Sequence, residues 1–190
     1  GVVTIRNSTF GPSSGGSGAH LRATGDVTVD IEGSTFTGGV AERGGSLFLD
    51  GVAFSIRDSV FEGNRGALGG GAIYVEDASG ADRITSSLFC RNDSSNGTAL
   101  DVIGQPESGG LTLKYNLFDN GYAATAPLVT LRGRLYEVQQ NTFVRSGGVA
   151  LDVAGAPGIV ERNVFAWLEG EAAIRADVPD NAPEIAEGNA

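Results

Sequence analysis

The chain has no methionine, and among its 190 residues only one cysteine, one tryptophan, one histidine and one lysine. The lone Cys90 excludes an intrachain disulfide framework and a Cys-rich zinc site. No run of ~18 apolar residues occurs, so no segment is long and apolar enough to cross a membrane as a helix. Basic charge is scarce: 13 Lys and Arg stand against 23 Asp and Glu, a formal net charge of −10. That balance argues against nucleic acid and anionic membrane surfaces as partners, because both require a basic footprint. His20 has no Ser or carboxylate constellation near it in sequence. With 41% hydrophobic and 19% charged residues, the chain is not a disordered polyelectrolyte. Glycine, by contrast, is abundant at 30 residues, without the G-X-Y period of collagen.

What is present is a repeat. Seven of the nine Phe fall at Phe10, Phe36, Phe61, Phe89, Phe118, Phe143 and Phe165, separated by 22 to 29 residues. Five places before each stands Ile5, Ile31, Ile56, Ile84, Leu113, Val138 or Val160; two places before stands Ser8, Ser34, Ser59, Ser87, Asn116, Asn141 or Asn163. A second strip alternates Leu21/Ala23, Leu47/Leu49, Ile73/Val75, Leu100/Val102, Val129/Leu131, Leu151/Val153 and Ile174/Ala176. Period-two alternation describes short strands with one buried face. Each unit reads as strand, polar corner, short strand at Phe, Gly-rich turn, strand, turn. Units of about 25 residues that carry three short strands and no helix stack as a parallel β-helix, here all-β with about seven coils. The general preference of parallel crossovers makes it right-handed. The Ser and Asn column suits the sharp corner, where Asn tolerates left-handed geometry, and the run GALGGG at 66–71 suits a turn.

The segment FEGNRGALGGGAIYV at 61–75 resembles the GGAI and FxxN repeats of chlamydial-type polymorphic membrane proteins. FxxN is literal at Phe61–Asn64 and Phe89–Asn92, and GGAI at 70–73, with GGSL at 44–47 and GTAL at 97–100 as degenerate forms. Over nearly its full length the chain also resembles the pectate-lyase-like superfamily of right-handed β-helices. That resemblance implies a secreted or surface-displayed protein. It does not select a function, since the scaffold carries adhesins, fibres and polysaccharide-active enzymes alike.

The resemblance implies that a glycan substrate would lie on the sheet after the Gly-rich turn. Its expected outward column is Arg22, Phe48, Tyr74, Asp101, Thr130, Asp152 and Arg175, flanked by small residues such as Ser46, Ala72 and Ala99. This column supplies the candidate ligand-binding residues Arg22, Phe48, Tyr74, Asp101, Asp152 and Arg175. It equally describes a Phe48–Tyr74 stack closed by Arg22. Asp101 and Asp152, two coils apart, fit the separation of an inverting acid–base pair; Asp152 beside Arg175 also fits an interstrand ion pair. Asp50 and Glu76, stacked at the next turn, are the calcium-binding candidates, and solvated turn acids are the alternative. No Gly-His-Gly segment, adjacent-Asp pair or phosphate loop is present. The column Arg6, Glu32, Arg57, Thr85, Lys114, Gln139 and Glu161 alternates in sign over its first three members and reads as a solvated face.

The expected domain is a single β-helix over 1–190. Val3 and Ile5 already belong to the first coil, and Ile185 to Ala190 resembles the opening of another unit, so no capping element is expected. Coils with open ends call for company: end-to-end copies of the same chain, or further coils. The leading expectation is a non-catalytic extracellular or cell-surface structural or adhesive module that self-assembles end to end into a filament or forms part of a longer surface fibre, with glycans or other surface proteins as further partners. The alternative is a carbohydrate-binding or lyase/glycosidase-like domain on the Arg22–Arg175 sheet.

Overall fold

A computed structural model describes residues 1–77, 80–104, 109–121, 125–133, 135–155, 158–170, 172–177 and 184–185, the last two through their backbone alone. The chain winds as a parallel β-solenoid whose strands form four sheets, and no helix occurs among the described residues. The Ile sheet has eight strands, from Val2–Arg6 to Glu184–Ile185. The Phe sheet has seven, from Thr9–Phe10 to Val164–Ala166, and the Leu sheet seven, from Leu21–Thr24 to Ile174–Asp177. The solenoid makes about six turns, where the repeat count suggested about seven coils. The reason is geometric, since seven stacked Phe mark six steps.

The register matches the repeat residue for residue. Ile5, Ile31 and Ile56 pair in line, and Ile84, Leu113, Val138, Val160 and Ile185 continue the column. Glu184–Ile185 therefore does open a further rung of the Ile sheet, as the sequence suggested; residues 186–190 lie outside the described set. The seven Phe rings stack with centroids 4.8–5.0 Å apart, the interstrand spacing itself. Together with the two Leu-sheet columns they form one continuous buried core.

The corners refine the sequence reading. The left-handed residue is the one before each Ser or Asn: Asn7, Gly33, Asp58, Ser86, Tyr115, Gln140 and Arg162 all have φ between 47° and 61°. The Ser or Asn that follows supplies the hydrogen bonds. Ser34 N–H donates to Ser59 Oγ (3.2 Å), Ser59 to Ser87 Oγ (3.2 Å), Ser87 to Asn116 Oδ1 (3.0 Å) and Asn116 to Asn141 Oδ1 (3.0 Å). From Asn116 onward the amide also donates to a carbonyl of the preceding coil, Asn116 to Ile84 and Asn141 to Leu113, each at 2.8 Å. FxxN makes a second ladder of this kind: Asn92 Oδ1 accepts the Asn64 N–H at 3.0 Å, and Asn64 Oδ1 that of Gly39 at 2.9 Å.

Three strands per coil is too few for the first half of the chain. Ser13–Ser14, Gly39–Arg43, Arg65–Gly69 and Asp93–Ser94 pair as a fourth, short sheet. GALGGG is thus a strand that ends in a corner. Its corner residue Gly70 has φ 58°, and a Cβ there would overlap the Ile73 carbonyl, so only glycine fits.

Candidate functional site

The Leu sheet turns its alternate side chains away from the core, yet those side chains are not at the surface. Phe48, Tyr74, Asp101, Thr130 and Asp152 are all buried, and only Arg22 and Arg175 at the two ends of the column are exposed. Over Tyr74 and Asp101 the short sheet is the cause. The Gly69 end of its Arg65–Gly69 strand lies so close over the column that a Cβ at Gly69 would sit 2.5 Å from Asp101 Oδ2 and 3.0 Å from the Tyr74 ring. The open platform expected from the sequence is therefore a covered layer. Within it Phe48 and Tyr74 stack at 5.6 Å; the Arg22 guanidinium lies 5.7 Å from the Phe48 ring centre and that of Arg43 lies 5.3 Å from Tyr74.

The two candidate acids are committed to local partners. Asp152 receives a forked pair from Arg175, Nε to Oδ1 at 2.9 Å and Nη2 to Oδ2 at 2.7 Å. Asp101, 1% exposed, accepts Asn96 Nδ2 on Oδ2 at 3.1 Å. Arg132 approaches Oδ1 only to 3.7 Å and donates instead to Asn96 Oδ1 at 2.9 Å. Asp101 Oδ1 and the hydroxyl of Thr130, its neighbour on the next rung, have no hydrogen-bond partner. Burial pushes the Asp101 carboxyl up to about 7, against the opposing pull of Arg132 and Asn96. A carboxyl that titrates near neutrality has the acidity of a general acid, but a covered one has no route to a substrate.

The remaining candidates are simpler. Asp50 and Glu76 are neighbours in register at the half-exposed rim of the Leu sheet, and Glu76 faces Arg43 at 3.8 Å. Among the described residues no group of three His, Cys, Asp or Glu side chains converges as a metal site. His20 bridges the first and second coils: Nε2 lies 2.8 Å from the Gly11 carbonyl, which can only accept, so in the neutral ring Nδ1 at 3.0 Å accepts from the Ser46 hydroxyl.

The Ile sheet holds an open feature beside the column that the sequence reading took as a solvated face, and only Arg57 of its lining belongs to that column. Thr28, Asp30, Ser55, Arg57 and Arg83 line a polar hollow of about 550 Å³. Asp30, Ser55 and Arg83 form one outward column, and the small Ser55 between two larger side chains leaves the space. Arg57 is held by Glu32 at 2.5 Å and Asp30 by Arg6 at 3.2 Å. Arg83 donates Nε to Ser55 Oγ at 3.0 Å, and no carboxylate lies within 4 Å of it among the described residues. The signal in the sequence was a small residue flanked by opposite charges one coil to each side. A smaller hollow of about 270 Å³ lies beside Arg175, between Gly148 and Gly170.

No protein-family description matches this chain, and comparison with curated proteins and with solved structures finds no match for it.

Proposed function

We propose that this chain is a non-catalytic structural or adhesive module, displayed outside the cell, whose solenoid continues past its terminal rungs, by end-to-end stacking of copies or as part of a longer surface fibre. The observation that carries this reading is the state of the terminal rungs. In the interior Phe36, Phe61 and Phe118 are fully buried, whereas Val3, Ile5, Phe10 and Leu21 on one side and Phe165, Leu168 and Ile174 on the other are half-buried. The strands Val2–Arg6 and Thr9–Phe10 pair along one edge only. A stacked coil would pair those edges and close the apolar columns at once. The resemblance of residues 61–75 to surface-displayed repeats supports the location, and the finer kinship with polymorphic membrane proteins and pectate-lyase-like β-helices belongs to this proposal. The enzymatic alternative draws on Asp101 and Asp152: Asp101 is covered by the Gly69 end of the short sheet, and Asp152 is held in the forked pair with Arg175. Adhesion to a glycan would use the open hollow around Arg83 instead of the Leu-sheet column.

Electron microscopy and sedimentation across protein concentration and salt test the proposal. Rods several times longer than one solenoid are expected. They should lengthen as salt screens the net charge of −10. Isolated monomers under every condition would remove the end-to-end reading.

A further inference from the structure

The strand laid over Tyr74 and Asp101 is lightly fastened. In Arg65–Gly69 the residues Arg65, Ala67 and Leu68 are exposed, and the two buried positions are Gly66 and Gly69. No side chain of this strand therefore anchors it to the layer beneath. Against Gly39–Arg43 its register shifts between Gly66 and Gly69, and against Asp93–Ser94 only Arg65 and Gly66 pair. Past Gly66 that second edge is held by the Ser95 hydroxyl, which donates to the Ala67 carbonyl at 3.1 Å. The Gly70 N–H on the Asn96 carbonyl follows at 3.0 Å. Gly66 at the register shift and Gly70 in the left-handed region bracket residues 67–69 as hinges.

Beneath this stretch lies a carboxyl short of donors. Asn96 Nδ2 donates to Asp101 Oδ2, whereas Oδ1 receives nothing, and the Thr130 hydroxyl on the next rung is unpartnered as well. The charged and titratable groups that face Asp101 are Arg43 from the short sheet, Tyr74 and Asp152 from the same column, and Arg132 from the next rung. Arg43 lies over the Tyr74 ring, Arg132 donates to Asn96 and stays 3.7 Å from Oδ1, and Asp152 is a like charge held by Arg175. None of them donates a hydrogen bond to the carboxyl. A buried carboxylate with a single hydrogen bond is costly, and a neutral carboxyl far less so. Two polar atoms under one thin strand would thus gain partners together if water entered.

We propose that residues 67–69 form a hinged cover that stays closed while Asp101 is neutral and lifts when Asp101 ionises, admitting water to Oδ1 and to the Thr130 hydroxyl. Lifting breaks the Ser95 bond and the Gly44 N–H bond to the Gly69 carbonyl, and bares part of the Tyr74 ring. Hydration of a carboxylate outweighs those losses, and hydration of a neutral carboxyl does not. Linkage sets the size of the effect. With the carboxyl at about 7 when covered and at 3.8 when hydrated, the open-to-closed ratio rises by up to about a hundredfold between pH 5 and pH 8. The cover acts within one chain and goes beyond end-to-end stacking. It closes the Tyr74–Asp101 layer in acid and makes it reachable above neutrality, a local opening of the kind that binding surfaces use.

Amide hydrogen exchange at pH 5 and pH 8, corrected for the intrinsic pH dependence of exchange, tests the cover. Protection of the Gly70 N–H should fall at least tenfold from pH 5 to pH 8. At both values Gly70 should exchange well before Val75 and Val102 in the strands beneath, and its rate should not respond to low urea. Asp101→Asn should keep the acid level of Gly70 protection at pH 8. Gly69→Ala sets a Cβ 2.5 Å from Asp101 Oδ2 and should hold the cover open at both pH values, with far-UV circular dichroism unchanged. Equal Gly70 protection at pH 5 and pH 8 in the wild type would overturn the proposal. So would exchange of Gly70 in step with Val75 and Val102, which would mean that the whole coil opens. His20, beside Gly39 of the same short sheet, is retained in Asp101→Asn, so a pH dependence kept by that variant would assign the effect to His20 and sink the cover. If Gly69→Ala does not fold, the Asp101→Asn comparison decides alone.

Discussion

Asp101 is covered by Gly69 and the Tyr74 ring, with Asn96, Arg132, Arg43, Thr130 and Asp152 as its polar surroundings. Its carboxyl is raised from 3.8 to about 7, so the folded state holds a proton that the unfolded state releases between those values. Stability from this group is therefore complete below about 4 and falls as pH rises to about 7, by at most about 1.4 kcal/mol per pH unit. Thermal unfolding should show a Tm several degrees higher at pH 5 than at pH 8. Asp101→Asn should flatten that dependence and raise the Tm at pH 8, because an amide bears no charge to desolvate and can donate to the Thr130 hydroxyl. An unchanged pH profile in Asp101→Asn would show that Asp101 is not the titrating group. Tyr136 is a second buried polar residue: its ring fills the space that Gly158 leaves open, and desolvation lifts its unpartnered phenol to about 12.

At the scale of elements, the corner ladder does more than punctuate strands. Asn116 accepts the Ser87 N–H, donates to the Ile84 carbonyl and reaches Asn141 Oδ1 at 3.0 Å, tying three coils together inside a buried corner. Asn116→Ala leaves those backbone groups unpaired, at a cost of about 1–3 kcal/mol for each. Asn116→Ser should cost roughly half as much, because Ser34, Ser59 and Ser87 serve the first coils through Oγ alone. Urea unfolding of the two variants checks the order, and equal losses would contradict the ladder's role. The short sheet belongs to this scale too. By laying Arg65–Gly69 over Tyr74 and Asp101, it turns a would-be binding face into a second buried layer.

For the whole molecule, each coil is stabilised by its neighbours alone, so stability is graded along the axis. Hydrogen exchange should be slowest at the Phe61, Phe89 and Phe118 rungs, where rings are covered on both sides, and fastest at Val2–Arg6 and Thr9–Phe10. Under conditions that form rods, protection of Val2–Arg6 should rise towards the interior value. Rods without that rise would mean that the copies meet elsewhere. Phe89→Ala, at a site covered on both sides, should cost about 3–5 kcal/mol, well above Phe10→Ala at the half-open rung.

The sequence by itself determined the inside of this protein. Phe, Ile and Leu columns at fixed offsets have one way to bury themselves together, and stacking at the strand spacing then dictates their register. The same repeat located the corners and missed only which residue turns: the left-handed residue precedes the Ser or Asn, and side chains as different as Tyr115 and Arg162 fill that position. The candidate site was legible only as a column. Whether Phe48, Tyr74 and Asp101 face solvent depends on where the Gly-rich segment goes, and glycines without side chains leave no hydrophobic period to show it. Likewise the hollow around Arg83 exists because Ser55 is small between the larger Asp30 and Arg83, two coils apart, a juxtaposition spread over more than fifty residues of sequence. Burial follows the local pattern of the chain; exposure is decided by what packs over it, and that is a property of the tertiary structure.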